Sequence, residues 1–279
     1  MQIVRTIAEM RAARSGLASP VGLVPTMGAL HEGHLSLVAR SSEQCATTIA
    51  SLFVNPTQFG PNEDFERYPR DEERDLALFA DAGVDLVFAP SLDEIYPAGL
   101  VTVVTLTGIA ERLEGKYRPG HFDGVATVVT KLFNIVEPDR AYFGEKDAQQ
   151  LRVIQALTRD LNLPIEIVGC TIIRESDGLA LSSRNVYLSD EHRQQALSLS
   201  GGLRRAKAAF ADGVRDADEL RGMVRSGIEA QPLADIDYVS LADSGTLEEL
   251  AGTVEDAVVL LLAVRFGATR LIDNTTLVP

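Results

Sequence analysis

The sequence has little of what marks secreted, membrane-spanning or nucleic-acid-binding proteins. It holds two cysteines among 279 residues and no CxxC pair, so we expect no disulfide framework and a reducing, cytoplasmic location. Residues 1–5 lack the long apolar region of a signal peptide, and the longest apolar run, 257–264, is too short to span a membrane. The 40 acidic residues outnumber the 26 basic ones by 14, which argues against nucleic acid as the main partner.

Common nucleotide-binding and hydrolase motifs are also missing. The chain has no GxxxxGK[ST] phosphate loop, no GxGxxG dinucleotide fingerprint and no GxSxG nucleophile elbow. Its composition is 46% hydrophobic and 24% charged, which is typical of a globular protein, and its length is sufficient for two domains.

Alternating strand-like and helix-like segments predict the fold. Strands are predicted at 21–24, 48–54, 85–89, 101–106, 140–143 and 165–173, and helices at 71–82, 124–136 and 148–161. This alternation indicates an α/β fold, with a Rossmann-like parallel sheet that carries helices on both faces. Helices at 190–213 and 217–231, then strands at 237–241, 257–263 and 270–272, indicate a smaller α+β domain. We therefore predict domains at 1–173 and 174–279.

The most informative segment follows the first buried strand. Pro25 ends that strand, and a turn of small residues leads into an amphipathic helix. His31 and His34 share one face of the first helical turn, where backbone N–H groups and the helix dipole favour anions. Gly28 and Gly33 leave room for a ligand near the backbone. These features predict a phosphate site at the mouth of a parallel sheet.

The histidine pair also has other interpretations. It is as compatible with a purely structural role as with phosphate binding, and a metal site is a third alternative. A metal site needs further ligands, and the spacing is not that of the zinc proteases, whose histidines stand at i and i+4. Besides carboxylates, the further ligands available are His121, His192, Cys45 and Cys170.

Other polar segments follow the remaining predicted strands. Because ligands bind at the carboxyl ends of parallel strands, we consider these segments candidates for the same site, although each alone is compatible with a solvated surface. The candidates are Lys146-Asp147, Ser182-Ser183-Arg184, Arg118, His121, Gln58, Gln149 and Gln150.

The segments described above, taken together, resemble the motifs of the pantothenate synthetase, or pantoate–β-alanine ligase, family. Only two positions of the matching motifs stand out, Thr57 and Leu181, where the family more often has methionine. The polar neighbours Gln58, Ser182 and Ser183 are retained there. The matching motifs run in order at 24–34, 53–60, 67–70, 120–136, 142–150, 174–189 and 270–274.

The resemblance implies a Rossmann-like domain, a smaller lid domain and a homodimer. It implies membership of the nucleotidyltransferase superfamily that includes the class I aminoacyl-tRNA synthetases. The implied reaction joins pantoate to β-alanine through a pantoyl adenylate, consuming ATP with Mg²⁺ and releasing AMP and pyrophosphate. The sequence assigns no Mg²⁺ ligand, and His121 is only one candidate for a base that deprotonates the amine.

The resemblance also assigns site residues. Implied ATP-binding residues are Pro25, Thr26, Met27, Gly28, His31, His34, Gly144, Lys146, Asp147, Ile173, Ser182, Ser183 and Arg184. The catalytic set among them is His31, His34, Lys146, Ser182, Ser183 and Arg184. Pantoate is expected at Gln58, Gln150, Pro25 and Met27, and β-alanine near Tyr68, Arg118 and His121.

Three competing functions use the same fold. A nucleotidyltransferase of cofactor biosynthesis would share the histidine pair without a β-alanine site. A silent nucleotide-binding module is disfavoured because the full set of donors is retained. An RNA-charging relative fits poorly with a net charge of −14, since RNA binding needs a basic surface.

Overall fold

The chain folds into two compact units, each with its own hydrophobic core. The computed structural model describes residues 1–61 and 63–279. The first unit comprises Met1–Glu145 and Gln150–Thr171, and the second comprises Lys146–Gln149 and Ile172–Pro279. The domain boundary after residue 173 and the role of the second unit as a lid stay predictions.

The first unit contains a parallel sheet of six strands. Their order across the sheet is β1-β4-β3-β2-β5-β6. The chain places β3 and β4 on one side of β2 and β5 and β6 on the other, so the order of connection reverses between β2 and β5. The strands are β1 (Gln2–Val4), β2 (Val21–Thr26), β3 (Thr47–Leu52), β4 (Leu86–Phe88), β5 (Arg140–Gly144) and β6 (Glu166–Cys170). The helices are α1 (Ile7–Arg14), α2 (Glu32–Gln44), α3 (Glu72–Asp81), α4 (Leu92–Ile95), α5 (Glu114–Tyr117), α6 (His121–Val136) and α7 (Ala148–Asp160).

Helices cover both faces of this sheet, as predicted. Successive strand residues point to opposite faces, so neighbours such as Leu23 and Val24 enter different clusters. Leu23 packs in a cluster with residues of α1, α6 and α7, whereas Val24 packs with residues of α2 and α3. The prediction of an α/β fold with a doubly covered parallel sheet is therefore confirmed.

Several local features differ from the predictions. Strand β2 does not end at Pro25 but continues to Thr26, because β5 pairs only with Gly22 and Leu23. Because β5 does not extend as far as Pro25, the N–H that this proline lacks would have no strand partner on the β5 side of β2. Strand β1 and helix α1 were not predicted, although Thr6 and Glu9 form a capping box that the Thr-x-x-Glu spacing signals.

The predicted strand at 101–106 is also wrong. The segment belongs to no strand of the described chain, although five of its six residues are valine or threonine, which favour strands. Val104 and Leu106 pack against the core, and the Val104 N–H donates to Thr127 Oγ1 of α6 at 3.0 Å. Val101 and Val103 are 92% and 64% exposed. The Thr127 hydroxyl of α6 thus takes the place of a neighbouring strand as the hydrogen-bond partner of the Val104 N–H.

The second unit packs two helices against an antiparallel sheet of three strands, which confirms the smaller α+β fold. Strand β8 is central because it pairs with β7 on one side and β9 on the other. No helix in the described part of the chain is both long and apolar enough to cross a membrane. The elements are α8 (Asp190–Ala211), α9 (Ala217–Glu229), β7 (Ala234–Asp243), β8 (Val258–Phe266) and β9 (Thr269–Leu277).

Candidate active site

The connection from β2 to α2 lies at the point where the strand order reverses. Ligands of open α/β sheets bind at such a point, outside the carboxyl ends of the strands. The connection includes two residues of positive φ, Gly28 at 82° and Ala29 at 51°. Because an alanine rarely adopts this conformation, something must stabilise the turn.

The stabilising group is the carboxylate of Asp75, on the buried face of α3. Its Oδ2 accepts the Ala29 N–H at 2.8 Å, and its Oδ1 accepts the Leu30 N–H at 2.9 Å. The Asp75 side chain is only 2% exposed, and Arg74 donates to the Leu30 carbonyl at 3.0 Å. A side chain on Gly28 would place its Cβ 2.9 Å from Asp75 Oδ2. Asp75 and Gly28 therefore fix the path of the chain into α2.

Sequence reasoning missed Asp75. The available signal was its position four residues before Phe79, so that both lie on one face of α3. A carboxylate on the apolar face of a helix needs partners, because burial of an unpaired charge is costly. The partners are 45 and 46 residues away in the sequence, and nothing local identifies them.

The histidine pair begins helix α2. His31 is the N-cap, and its Nδ1 accepts the Gly33 N–H at 3.1 Å; the Nδ1 of His34 accepts the His31 N–H at 3.3 Å. A backbone amide can only donate, so each neutral ring carries its proton on Nε2. The ring centroids lie 4.1 Å apart. The two half-buried imidazoles are thus held as Nε2–H donors at the positive end of a helix dipole.

This arrangement modifies the predicted phosphate site. We expected backbone amides of the first turn to face the ligand, but the Gly33 amide binds the His31 ring and the His34 amide binds the His31 carbonyl. Two of the first-turn amides are thus used within the chain, and each imidazole of the pair carries a donor on Nε2.

The turn after β3 places Gln58. Asn55 is 1% exposed, and its Oδ1 accepts from the Thr57 N–H at 3.3 Å and the Thr57 hydroxyl at 2.9 Å. Its Nδ2 donates to the Gly124 carbonyl at 3.2 Å. A Cβ on Gly124 would lie 2.3 Å from the Thr57 carbonyl oxygen, so glycine permits the close contact between α6 and this turn. Gln58, which is 8% exposed, follows at the end of the turn.

Two residues expected near β-alanine contact the backbone of Gln58. The Gln58 carbonyl accepts from His121 Nδ1 at 2.8 Å and from Arg118 Nη2 at 3.2 Å. Arg118 also binds both carboxylate oxygens of Glu63, at 2.6 and 2.8 Å, and donates from Nη1 to His121 Nε2 at 3.0 Å. These contacts hold the Gln58 backbone.

His121 is poorly suited to act as a base. Burial and the neighbouring Arg118 guanidinium lower its pKa from 6.5 to about 4, so the ring is neutral at pH 7. Its Nδ1–H donates to Gln58 and its Nε2 accepts from Arg118, which leaves its acceptor nitrogen occupied. Burial raises the pKa of Glu63, but the Arg118 pairing outweighs it and holds that pKa below its ordinary value. The structure therefore favours a positioning role for His121.

The remaining candidates of the first unit are placed as follows. Pro25 and Met27 are half-buried, and the buried Thr26 donates its hydroxyl to the Ser51 carbonyl at 2.8 Å. Tyr68 is 6% exposed and packs edge-on against Phe59. Gly144 ends β5, the strand beside β2, and Gln150 is half-buried on α7.

In the second unit, two segments that contain cationic residues make local contacts. Lys146 is half-buried, and its Nζ lies 3.8 Å from Asp147 Oδ2. The hydroxyl of Ser182 accepts the Arg184 N–H at 3.3 Å and so begins a short 3-10 turn, Ser183–Tyr187. The Ile173 carbonyl accepts the Leu181 N–H at 3.0 Å, just before these serines.

No protein cage for a metal ion is present over residues 1–61 and 63–279. At no place there do three His, Cys, Asp or Glu side chains come together as ligands would. Both cysteines are free thiols, and Cys45 Sγ lies 3.3 Å from the Tyr142 hydroxyl. The residues present do not fit a metal centre made by the protein alone.

Comparison with known proteins agrees with the resemblance found in the sequence. Residues 2–276 match the family model described as pantoate-beta-alanine ligase. The pantothenate synthetase of Roseiflexus sp. (strain RS-1) is 57% identical over 277 residues, which are 99% of this chain and 99% of that protein. That of Acetivibrio thermocellus is 54% identical over 277 residues, or 98% of each chain.

Solved structures show the same relationship. A pantothenate synthetase structure from Thermus thermophilus has a TM-score of 0.95 and 48% identity, and the match covers 100% of both chains. A pantoate-beta-alanine ligase from Francisella tularensis, complexed with beta-gamma ATP and beta-alanine, has a TM-score of 0.80 and 35% identity over 99% of this chain and 97% of that one. The present chain therefore belongs to the pantoate-beta-alanine ligase, or pantothenate synthetase, family of enzymes.

Proposed function

We propose that this enzyme condenses pantoate with β-alanine by way of a pantoyl adenylate. A carboxylate is a poor acyl donor, so its oxygen first attacks the α-phosphorus of ATP and pyrophosphate leaves. The amine of β-alanine then attacks the activated carbonyl, which gives pantothenate and AMP. ATP and β-alanine are named in the Francisella tularensis complex, and the residues that match the family support the same substrates here.

The observation that carries the proposal is the histidine pair. The first step brings a carboxylate to a polyphosphate, so developing charge must be neutralised by donors fixed in advance. His31 and His34 are such donors, because their Nδ1 atoms are occupied by backbone amides and their Nε2–H groups are oriented as a result. We assign charge stabilisation at the phosphates to His31, His34, Lys146, Ser182, Ser183 and Arg184.

The other roles follow the motif matches. Asp147 is assigned to the ribose of ATP, and Gln58 and Gln150 to pantoate. Arg118 and His121 support the Gln58 backbone, which adds a positioning role to their assignment near β-alanine. The rest of the proposed ATP and pantoate contacts are Pro25, Thr26, Met27, Gly28, Gly144 and Ile173, and Tyr68 is kept near β-alanine.

We further propose that Mg²⁺ arrives bound to the phosphates of ATP. This ion commonly keeps several waters and uses one or two carboxylates plus substrate phosphates, so it needs no three-ligand protein cage. A cytoplasmic location is proposed as well, which fits the two free cysteines.

A homodimer is the proposed assembly, and the segment 101–106 supports it. The segment is rich in valine and threonine and belongs to no strand of the described chain, and Val101 and Val103 are 92% and 64% exposed. An exposed segment rich in β-branched residues is suited to pairing with another chain. A second copy of this chain would cover these valines.

Exchange of labelled pyrophosphate into ATP tests the proposed function. With β-alanine omitted, we expect exchange that depends on added pantoate, because adenylation is reversible. Exchange that proceeds equally without pantoate, or folded protein that binds ATP and shows none with it, would overturn the proposal. A panel of other carboxylates serves as the control for substrate choice.

A further inference from the structure

The motif at 270–274 matches the family, yet the proposed function gives it no role. Within β9, Asp273 occupies the same face as Leu271 and Leu277, which both enter the core of the second unit. Its side chain is 2% exposed. A carboxylate in this position is costly unless it is paired, so its partners indicate what it is for.

The partner of Asp273 is Arg174, at the base of a hairpin. Arg174 Nη1 and Nη2 donate to the two carboxylate oxygens at 2.7 and 2.9 Å. Nη1 also donates to the Gly178 carbonyl at 3.2 Å, and Arg174 pairs with Ala180 as an antiparallel bridge. Asp273 therefore fixes the hairpin that leads directly into Ser182.

Asn274, the residue after Asp273 in β9, contacts the backbone of Lys146, which the proposed function also assigns to the phosphates of ATP. Asn274 is 6% exposed, and its Nδ2 donates to the Lys146 carbonyl at 2.9 Å. Its backbone N–H donates to Asp273 Oδ1 at 2.8 Å, the same oxygen that accepts from Arg174 Nη2. A continuous chain of hydrogen bonds thus joins the Lys146 backbone to the hairpin.

We propose that Asp273 and Asn274 are positioning residues, which hold Lys146 and the segment 182–184 in one fixed relation. The inference rests on the proposed function, because it assumes that these segments bind the phosphates of ATP. Two cations that must meet one polyphosphate need a common support, and neighbouring residues of a single strand supply it. Neither positioning residue is assigned a contact with the substrate.

Two nearly isosteric variants remove these links. Asn274→Asp replaces the amide donor by a carboxylate, which repels the Lys146 carbonyl. Asp273→Asn removes the charge and one of the two acceptors for Arg174. The matched control is Asp237→Asn in β7, since Asp237 is 10% exposed and accepts from Arg265 and Arg270 at 3.2 and 2.6 Å within the same unit.

Pantoate-dependent pyrophosphate exchange is measured for all four proteins together with thermal unfolding. We expect kcat to fall about 10- to 100-fold in Asn274→Asp and Asp273→Asn, because misplacing catalytic groups by about 1 Å costs rates of that order. The kcat of Asp237→Asn should stay within about threefold of that of the wild type even if its Tm falls as much as that of Asp273→Asn, since the cations that Asp237 binds are Arg265 and Arg270. Equal kcat losses in the control, or wild-type kcat in Asn274→Asp, would overturn the inference. Absence of exchange in the wild-type enzyme would instead contradict the proposed function.

A second measurement separates positioning from general damage. If Asn274 acts through Lys146, then Asn274→Asp should cause little further loss of kcat once Lys146→Ala has removed the ammonium group. A loss of the same factor in both backgrounds would show that Asn274 acts elsewhere and would overturn the assigned role. The test remains usable if Asp273→Asn fails to fold.

Discussion

At the scale of single residues, the site is defined by which atoms of each side chain are already occupied. His31 and His34 use Nδ1 to accept backbone amides, so Nε2–H remains the donor end of each ring. His121 is the opposite case, because its Nδ1 donates to the Gln58 carbonyl and its Nε2 accepts from Arg118. His31 and His34 therefore share one tautomer and His121 has the other, because their partners differ, and a sequence motif does not record that difference.

A pair of substitutions at His34 tests the tautomer. Asparagine retains an acceptor near the Nδ1 position and removes the Nε2–H donor, whereas glutamine reaches the Nε2 position and loses the acceptor. We expect His34→Asn to lower the exchange rate about 10²- to 10³-fold, as His34→Ala or Lys146→Ala should, because one fixed donor is lost. The Tm of His34→Asn should stay near that of the wild type. Near-wild-type exchange in this variant would contradict the assigned role, and His34→Gln is the matched comparison.

The pKa of His121 predicts a pH dependence of stability. Its folded-state pKa of about 4 lies below the ordinary 6.5, so the unfolded chain binds this proton first as the pH falls. Its contribution to the free energy of unfolding is therefore complete above pH 6.5 and is lost as the pH falls towards 4. For a half-buried ring we expect a loss of about 1–3 kcal/mol.

Urea unfolding at pH 6.5 and 4.5 measures this loss. His121→Asn keeps an N–H donor for the Gln58 carbonyl and has no titrating ring, so its stability should change less over this interval. Glu63, whose pKa the Arg118 pairing lowers, is present in both proteins, so the difference between them isolates the contribution of His121. Identical pH dependence in the wild type and the variant would contradict the inferred burial of a neutral His121.

At the scale of elements, long-range contacts hold the active-site turns. Asp75 of α3 binds the turn before α2, and Gly124 of α6 packs against the turn after β3. The turns themselves could be predicted, because Pro25, Gly28 and the histidine pair are local signals. The residues that hold them could not, since a sequence pattern identifies a buried carboxylate without naming its partners.

Substitution of Asp75 tests this support. In Asp75→Asn, one of the two loop amides loses its acceptor, and we expect the free energy of unfolding to fall by about 1–3 kcal/mol. Exchange should slow as well, because the path of the chain into His31 is no longer fixed. The exposed Glu73 on the same helix provides the control Glu73→Gln, which should change neither quantity. An Asp75→Asn enzyme with wild-type stability and rate would show that the carboxylate does not hold the turn.

At the scale of the whole molecule, the folds of both units could be predicted from the sequence, but the conformation of the segment 101–106 could not. Alternating apolar segments indicated the parallel sheet, and the helix pair followed by short strands indicated the smaller α+β fold. The segment 101–106, in which five of the six residues are valine or threonine, was predicted as a strand. Its Val104 N–H binds Thr127 instead, and two of its valines face outward. Valine and threonine favour strands, but a strand forms only where a neighbouring strand is available for pairing.

The proposed homodimer gives this segment a partner. We expect the wild-type enzyme to sediment as a dimer. Val103→Lys should shift it towards monomer, because the lysines of the two copies would be buried at the interface and their like charges would repel. Val278, also 64% exposed, offers the matched control Val278→Lys, which should leave the assembly unchanged. A monomeric wild-type enzyme, or a Val103→Lys enzyme that dimerises as tightly, would contradict the proposed interface.

The central claim is that pantoate attacks the α-phosphorus of ATP, and oxygen transfer tests it most directly. The enzyme is supplied with pantoate labelled with ¹⁸O in its carboxylate, together with unlabelled ATP and β-alanine, and the nucleotide product is analysed by mass spectrometry. Because the adenylate's bridging oxygen comes from pantoate and remains with phosphorus when the amine attacks, the account predicts one ¹⁸O atom in AMP and none in pyrophosphate. Unlabelled AMP, or label found in inorganic phosphate alongside ADP, would contradict it.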